Sequence, residues 1–253
     1  MTVRATLLAL ALGVAPVCGE WTLASSDVLA TPSRGLSVCE ARVADGQRQA
    51  TLTAILFSEK SHGLRVIDSP DPGRTRMADV FPPMGIVAGV NGGYFHDDLR
   101  PVGLVVAGGQ QIHGFEKAKL LSGILTVRPG KIEIVRSSQF QPGKNLREAL
   151  QCGPMLVDDG QPANGLNAER TARRTVVTTD SRGRWALIYL TSVSLADAAK
   201  ILLIPGIFGD WTPVTALNLD GGGSSGLWAN AEPMPISRPE FSHVRNYLGV
   251  VPK

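Results

Sequence analysis

The sequence predicts an α+β fold: one mixed, strand-rich single domain with few helices. Three observations carry this. Glycine (28 residues) and proline (17) are dense enough to break 253 residues into many short elements. The apolar stretches are short and are separated by turn signals. Only two stretches carry helix-start signals, and they do not alternate with strands as βαβ units would. Hydrophobic residues at 43% and charged residues at 19% place the chain among globular proteins, and its length is ample for a buried core.

The elements follow in order. Residues 20–48 have few periodic apolar positions and read as an irregular lead-in. Residues 50–57 alternate as a strand, and 85–90 form a short buried run. Residues 102–107 pass through Gly108-Gly109 into 110–113, a hairpin signal. Residues 124–127, the turn Arg128-Pro129-Gly130 and residues 131–135 make a second hairpin, with Ile132 and Ile134 on one face. Residues 145–150 have a cap-like Asn145 and Glu148 three positions on, the spacing of a helix start. Residues 155–157 and 175–179 are short strands, and 185–191 is another, after the turn Asp180-Ser181-Arg182-Gly183. Ser194-Leu195-Ala196-Asp197 has capping-box spacing and opens a helix that runs to Leu203, before Pro205-Gly206. Residues 215–219 and 247–251 are the last strands.

The first nineteen residues have the shape of a secretory signal peptide. Arg4 precedes an apolar run over 5–15, and Val17 and Gly19 are small residues before a cut near Glu20. The run is too short to span a membrane, and no later stretch approaches about 20 uninterrupted apolar residues. The expectation is a secreted or periplasmic protein without an integral membrane segment in the mature chain. It divides into the 1–19 signal peptide, a 20–49 N-terminal segment and a 50–253 domain. Cleavage removes one of 25 basic residues, Arg4, and none of 22 acidic ones, leaving 24 against 22 and a net charge of +2. No Lys/Arg block interleaved with aromatics is present, so nucleic acid is not an expected partner. Cys39 and Cys152 remain, either as a disulfide pair or as two buried thiols. The sequence does not set an oligomeric state.

The most informative segment is Asn218-Leu219-Asp220-Gly221-Gly222-Gly223-Ser224-Ser225-Gly226. A strand runs directly into Asp220 and three glycines, which let the backbone approach a ligand and present N–H donors. A carboxylate at a strand end beside such a loop is a common way to present a catalytic acid or base. A tight turn in which Asp220 caps its own amides uses the same letters. Gly221-x-Gly223-x-x-Gly226 has dinucleotide-loop spacing, but residues 227–233 lack the helix pattern that such a site needs. Gly222-x-Ser224-x-Gly226 has nucleophile-elbow spacing, with Glu232 or Glu240 and His243 downstream. That elbow needs a helix too, so a serine hydrolase using Ser224 and His243 ranks second. A phosphate loop of the ATPase kind is excluded, because no GxxxxGK[ST] occurs.

Further segments repeat the theme. Asn91-Gly92-Gly93-Tyr94-Phe95 follows the buried run at 85–90, although Asn-Gly is also a strong hairpin signal. Gln151-Cys152-Gly153-Pro154-Met155-Leu156-Val157 leads a turn into a strand. Arg173-Arg174-Thr175 sits at the start of another strand, where an arginine can pair with an anion or remain a solvated charge. Taken with Pro101-Val102-Gly103-Leu104-Val105-Val106 and LNLDGGGSS, these motifs resemble the phosphodiester glycosidase family in order and spacing, over residues 50–252. Arg245-Asn246-Tyr247-Leu248-Gly249-Val250 is similar to the family's closing strand. Family members carry Pro-Arg-Thr-Ala where this chain has Arg173-Arg174-Thr175-Val176, and Arg170-Thr171-Ala172 offers a competing register.

The resemblance implies an exported hydrolase that cleaves a sugar-1-phosphodiester to free sugar and phosphomonoester. The catalytic residues it implies are Asp220, as base or nucleophile, and Asn91, orienting sugar or water. Arg174 and Arg245 become phosphate clamps, because a guanidinium fork matches two phosphate oxygens. Gly92, Gly93, Gly153, Thr175, Gly221, Gly222, Gly223, Ser224 and Ser225 complete the substrate-binding set, with Ser224 as a hydrogen-bonding support. His113 reads as a strand-edge or core histidine, and Asp97, Asp98, Glu116 and Asp158 sit in turn-like surroundings. No His/Cys/Asp cluster has transition-metal spacing, so neither a metal nor a cofactor is expected. A third reading is a non-catalytic cell-surface glycan-binding protein that keeps the cleft.

Overall fold

The computed structural model describes residues 19–69, 76–143 and 145–253; the expected signal peptide, Gly19 apart, lies outside them. Among the described residues no helix is long and apolar enough to cross a membrane. Strands hold 49% of the described residues and helices 9%, so the fold is mostly β.

Residues 20–48 are not irregular. They form the long hairpin β1 (Thr22–Ser33) and β2 (Leu36–Ala44). β1 gives no apolar period because it is an outer strand, held by backbone pairing and largely exposed. Its ladder to β2 is broken by three register shifts, at Leu23/Ser25, Val28/Ala30 and Ala30/Ser33. β3 (Gln49–Ser58) and β4 (His62–Asp68) follow, then the one-turn helix α1 (Met77–Val80) and β5 (Ala88–Asn91). The two predicted hairpins are present as β6 (Val105–Ala107) with β7 (Gln110–His113), and β8 (Gly123–Arg128) with β9 (Lys131–Arg136).

The helix expected at 145–150 is instead strand β10 (Glu148–Cys152). Asn145 takes a left-handed φ of 71°, which turns the chain. The Glu148 carboxylate is buried and accepts the amides of Val66 (3.2 Å) and Gly108 (3.1 Å), so tertiary partners take the group that a capping box would use. Then come β11 (Met155–Asp158), β12 (Gln161–Pro162), β13 (Ala172–Thr179) and β14 (Arg184–Val193). Helix α2 (Leu195–Leu202) starts where expected, with the Ser194 hydroxyl accepting from the Asp197 amide at 3.0 Å. β15 (Thr215–Asn218), β16 (Leu227–Ala229), β17 (Ile236–Arg238) and β18 (Asn246–Pro252) close the chain.

The strands make three sheets. The largest runs β1-β2-β3-β14-β13-β15-β11-β12, and two five-stranded sheets run β7-β6-β10-β8-β9 and β17-β16-β5-β18-β4. The alternation of side chains along the central strands explains the layering. Ile55, Phe57, Val177 and Leu187 face the smaller sheets and pack with Val66, Val90, Leu125, Leu150 and Leu248. Leu52, Ala54, Val176 and Ile188 face the other way, toward Ala198, Ile201 and Leu202 of α2. The large sheet is thus covered on both faces, which makes its central strands nearly continuously apolar. Cys39 and Cys152 are both buried free thiols.

Asp197 ties the N-terminal hairpin to α2. Its carboxylate accepts from Trp21 Nε1 (3.0 Å), Arg48 Nη1 (2.8 Å) and the Ser194 hydroxyl (2.9 Å). Burial alone would raise its pKa, but these three contacts outweigh burial and hold it below the usual carboxylate range. A carboxylate with a depressed folded pKa adds stability above its unfolded value, about 4, and that stability is lost as the pH falls through the folded value. Asp197→Ala is expected to lower the unfolding free energy by about 2–4 kcal/mol at pH 7. In urea titrations the gap from wild type should narrow below about pH 4; a gap that stays constant under acid would contradict the network.

Candidate active site

β15 and β5 belong to different sheets, yet their ends meet. Where β15 stops, Leu219 N–H donates to the Thr175 carbonyl of β13 (2.8 Å), and Asp220 N–H donates to the Gly92 carbonyl beyond β5 (3.0 Å). Asn91 locks this junction. It is 1% exposed; its Nδ2 donates to the Asp220 carbonyl (2.8 Å), and its Oδ1 accepts from the Thr175 hydroxyl (2.6 Å) and the Gly226 amide (3.0 Å). Gly92 is required by close approach, since a Cβ there would run into Asn246 Oδ1. That same oxygen accepts the Gly93 amide at 2.7 Å.

Past the junction lies a cleft of about 390 Å³. It is lined by Asn218, Asp220, Gly221 and Gly222, by Arg170, Ala172 and Arg174, and by Tyr94, Leu120 and Pro154. The Asp220 carboxylate accepts the Gly221 amide (2.9 Å) and the Ser224 hydroxyl. Burial nevertheless raises its pKa to about 6, because these two hydrogen bonds only partly offset lost hydration. Gly222 has φ +64°, a left-handed conformation that glycine adopts without strain. Tyr94 donates its hydroxyl to the Gly153 carbonyl (2.5 Å) and accepts from Asn218 Nδ2 (3.0 Å); Asn218 Nδ2 also donates to the Gly153 carbonyl (3.0 Å). Burial raises the pKa of Tyr94, so its hydroxyl stays protonated.

Arg174 is 8% exposed, and burial lowers its pKa. Its Nε donates to the Val193 carbonyl (3.0 Å) and its Nη2 to the Arg170 carbonyl (2.7 Å). No carboxylate pairs with it among the described residues, and its Nη1 lies toward Gly221. Backbone carbonyls therefore aim the guanidinium without neutralising it. Arg170 lines the same cleft, so both candidate arginine registers contribute a residue. Asp220 is the one carboxylate on the cleft wall among the described residues. No group of three or more His, Cys, Asp and Glu residues there is placed to hold a metal.

The other expected site residues lie elsewhere. Arg245 is absent from the cleft wall: its Nη1 and Nη2 pair with Asp68 at 2.5 and 3.1 Å. Asn91 and Thr175 are buried braces rather than groups open to a ligand, and Ser225 is fully buried. Gly223 faces away, its carbonyl accepting the amides of Phe241 (2.8 Å) and Ser242 (3.1 Å). Gly93 and Gly153 shape the wall through backbone groups. Ser224 leads into strand β16 instead of a helix, and no hydrogen bond joins it to the exposed His243 among the described residues, so the serine-hydrolase geometry is not formed. His113 holds the Gly103 carbonyl at 3.0 Å, away from the cleft. Tyr94, Asn218, Leu120, Pro154 and Asn167 also line the cleft, beyond the residues expected from the motifs, although Tyr94 and Asn218 stand inside the two glycine motifs.

The profile of the phosphodiester glycosidase family matches residues 84–251, from β5's approach to the end of β18. The chain belongs to that family. Among solved structures, it is similar to the zebrafish N-acetylglucosamine-1-phosphodiester α-N-acetylglucosaminidase catalytic domain, auto-inhibited by its pro-peptide. That match has a TM-score of 0.65 at 15% identity and covers 90% of this chain and 88% of the other. A hypothetical protein from Synechocystis matches with a TM-score of 0.63 at 16% identity, over 87% of this chain and 63% of that one. At those identities the likeness concerns the fold. The uncharacterized protein YigE of Escherichia coli K12 is 32% identical over 92 residues, which are 33% of this chain and 36% of YigE.

If Asn91 is a brace, its removal must weaken the fold itself. Asn91→Ala leaves the Asp220 carbonyl, the Thr175 hydroxyl and the Gly226 amide without this partner, an expected loss of about 2–4 kcal/mol in urea unfolding. Wild-type stability in that variant would show that Asn91 does not hold the junction.

Proposed function

We propose that the chain is an exported hydrolase that cleaves a sugar-1-phosphodiester, releasing free sugar and a phosphomonoester, in the cleft between Asp220 and Arg174. The observation that carries this is Arg174: a buried guanidinium that no carboxylate pairs with among the described residues, lining the same cleft as the desolvated Asp220. Burying a cation without a partner is unfavourable unless an anion is taken up there. Family membership supports the phosphodiester as that anion. Export is inferred from the pattern of residues 1–19.

The chemistry suits a wall with one carboxylate. Ordinary glycoside hydrolysis uses a second carboxyl group to protonate the departing oxygen. A phosphate leaving group needs little such help, because its charge is already delocalised and two arginines, Arg174 and Arg170, face it. As a base, ionised Asp220 takes a proton from water while that water bonds to the anomeric carbon. The anomeric C–O bond breaks and its electron pair leaves with the phosphate oxygen. As a nucleophile, ionised Asp220 bonds to that carbon first and water then displaces it. Product stereochemistry, read by proton NMR at early times, separates inversion from retention.

Either role requires the ionised carboxylate, so kcat/KM on a hexose-1-phosphodiester is expected to rise with pH through about 6 and level above it. The Ser224 hydrogen bond lowers the Asp220 pKa, so Ser224→Ala should move that rise to higher pH. Asp220→Asn should fold as wild type and lose at least about 100-fold in kcat/KM. Arg174→Ala should lose about 10- to 100-fold, with Arg174→Lys recovering only part. A folded Asp220→Asn protein with full activity would remove Asp220 from the reaction.

A further inference from the structure

A second cleft, of about 650 Å³, lies across the segment that follows β7. Phe115, Lys117 and Lys119 line it from this segment, and Phe140 lines it from beyond β9. The two phenylalanine rings stack at 6.0 Å between centroids and 14° between planes, with Phe115 39% exposed. Lys117 and Lys119 are exposed, and neither is paired with a carboxylate among the described residues. Glu116 lines the cleft as well, but its Oε1 accepts the Gly103 amide at 3.1 Å and lies 3.6 Å from His113 Nδ1, contacts that hold part of its charge away from the two lysines.

The segment is rigidly held from below. Gln151 is fully buried; its Nε2 donates to the Glu116 carbonyl (2.7 Å) and the Leu121 carbonyl (3.4 Å), and its Oε1 accepts the Glu116 amide (3.1 Å). One amide thus pins both ends of the loop that carries the lysines. This loop is also the wall between the two clefts. Leu120 lines the Asp220 cleft, while its neighbours Lys119 and Leu121 line the second one. The two clefts therefore meet at consecutive residues, whose Cα atoms are about 3.8 Å apart.

We propose that the Phe115–Phe140 cleft binds the next repeat of a polymeric substrate, a glycan whose sugars are joined through phosphodiesters. The inference rests on the phosphodiester reading of the Asp220 cleft. Such a polymer places one negative charge and one sugar ring in every repeat. The lysines match the charge of the following phosphate, and the open face of Phe115 offers its electron-rich surface to the polarised C–H groups of the following ring. A substrate with a small neutral group beyond the phosphate would leave both features unused.

The test compares a hexose 1-(methyl phosphate) with a trimer of hexose units linked through 1-phosphodiesters. In wild type the trimer should have a kcat/KM about tenfold higher, an advantage that shrinks as salt is raised. Phe115→Ala and the double change Lys117→Glu/Lys119→Glu should each abolish that advantage while turnover of the methyl ester stays at the wild-type value. Equal handling of the trimer by wild type and both variants would overturn the proposal. Calorimetric titration of the trimer into Asp220→Asn protein separates binding from cleavage. If neither compound is hydrolysed by wild type, the catalytic reading fails, yet charge-reversal that weakens trimer binding still supports the cleft. Binding that is unchanged by charge-reversal, or matched by a neutral gluco-oligosaccharide of the same length, overturns it.

Discussion

The site depends on a single buried amide that fastens two sheets together. Asn91 reaches out of one sheet and bonds to three backbone or side-chain groups beyond it, at Asp220, Thr175 and Gly226. Each of those groups would otherwise be a buried polar atom without a partner. The bonds are specific in donor and acceptor sense, so a residue of similar size but different chemistry does not replace Asn91. Gly92 completes the joint by letting Asn246 pack against its backbone. Asp220 then emerges at a defined place and direction, from a backbone held on both sides.

The electrostatics of the cleft follow from that rigidity. The joint keeps Asp220 poorly hydrated, which raises its pKa, and only its own loop offers compensation through Gly221 and Ser224. On the same cleft, backbone carbonyls hold Arg174, so its charge stays available. The walls therefore contain a carboxylate with a pKa raised to about 6 and a cation that no carboxylate pairs with among the described residues. Arg245 shows the contrast: it is equally buried but neutralised by Asp68, and its role is to secure the start of β18 next to β4.

The parts of the fold that could be read in the sequence are those with local causes. Both short hairpins declared themselves through Gly108-Gly109 and Arg128-Pro129-Gly130, and α2 through the Ser194 cap. What escaped has non-local causes. β1 has no apolar period, because its partner is β2's backbone. Glu148 resembles a helix-capping residue until Val66 and Gly108, both distant in sequence, are seen to use it. The glycine motifs located Asp220 and the junction, and the choice between Arg170 and Arg174 dissolved because strand β13 and the turn before it bring both to one wall. Arg245 could not be distinguished from a ligand arginine, since its partner Asp68 lies 177 positions away.

The broken ladder of β1 has a consequence of another kind. An eight-stranded sheet ending in a long, exposed strand with Val28 and Leu29 on its surface invites a second chain to add on by backbone pairing. Three interruptions in twelve residues bend that edge and put its free amides out of register with any straight strand. Smoothing them, for example by deleting a residue at a bulge, would leave the Asp220 cleft untouched and make the protein prone to aggregate. The N-terminal hairpin thus protects the colloidal behaviour of the molecule, a task separate from anything that happens at Asp220.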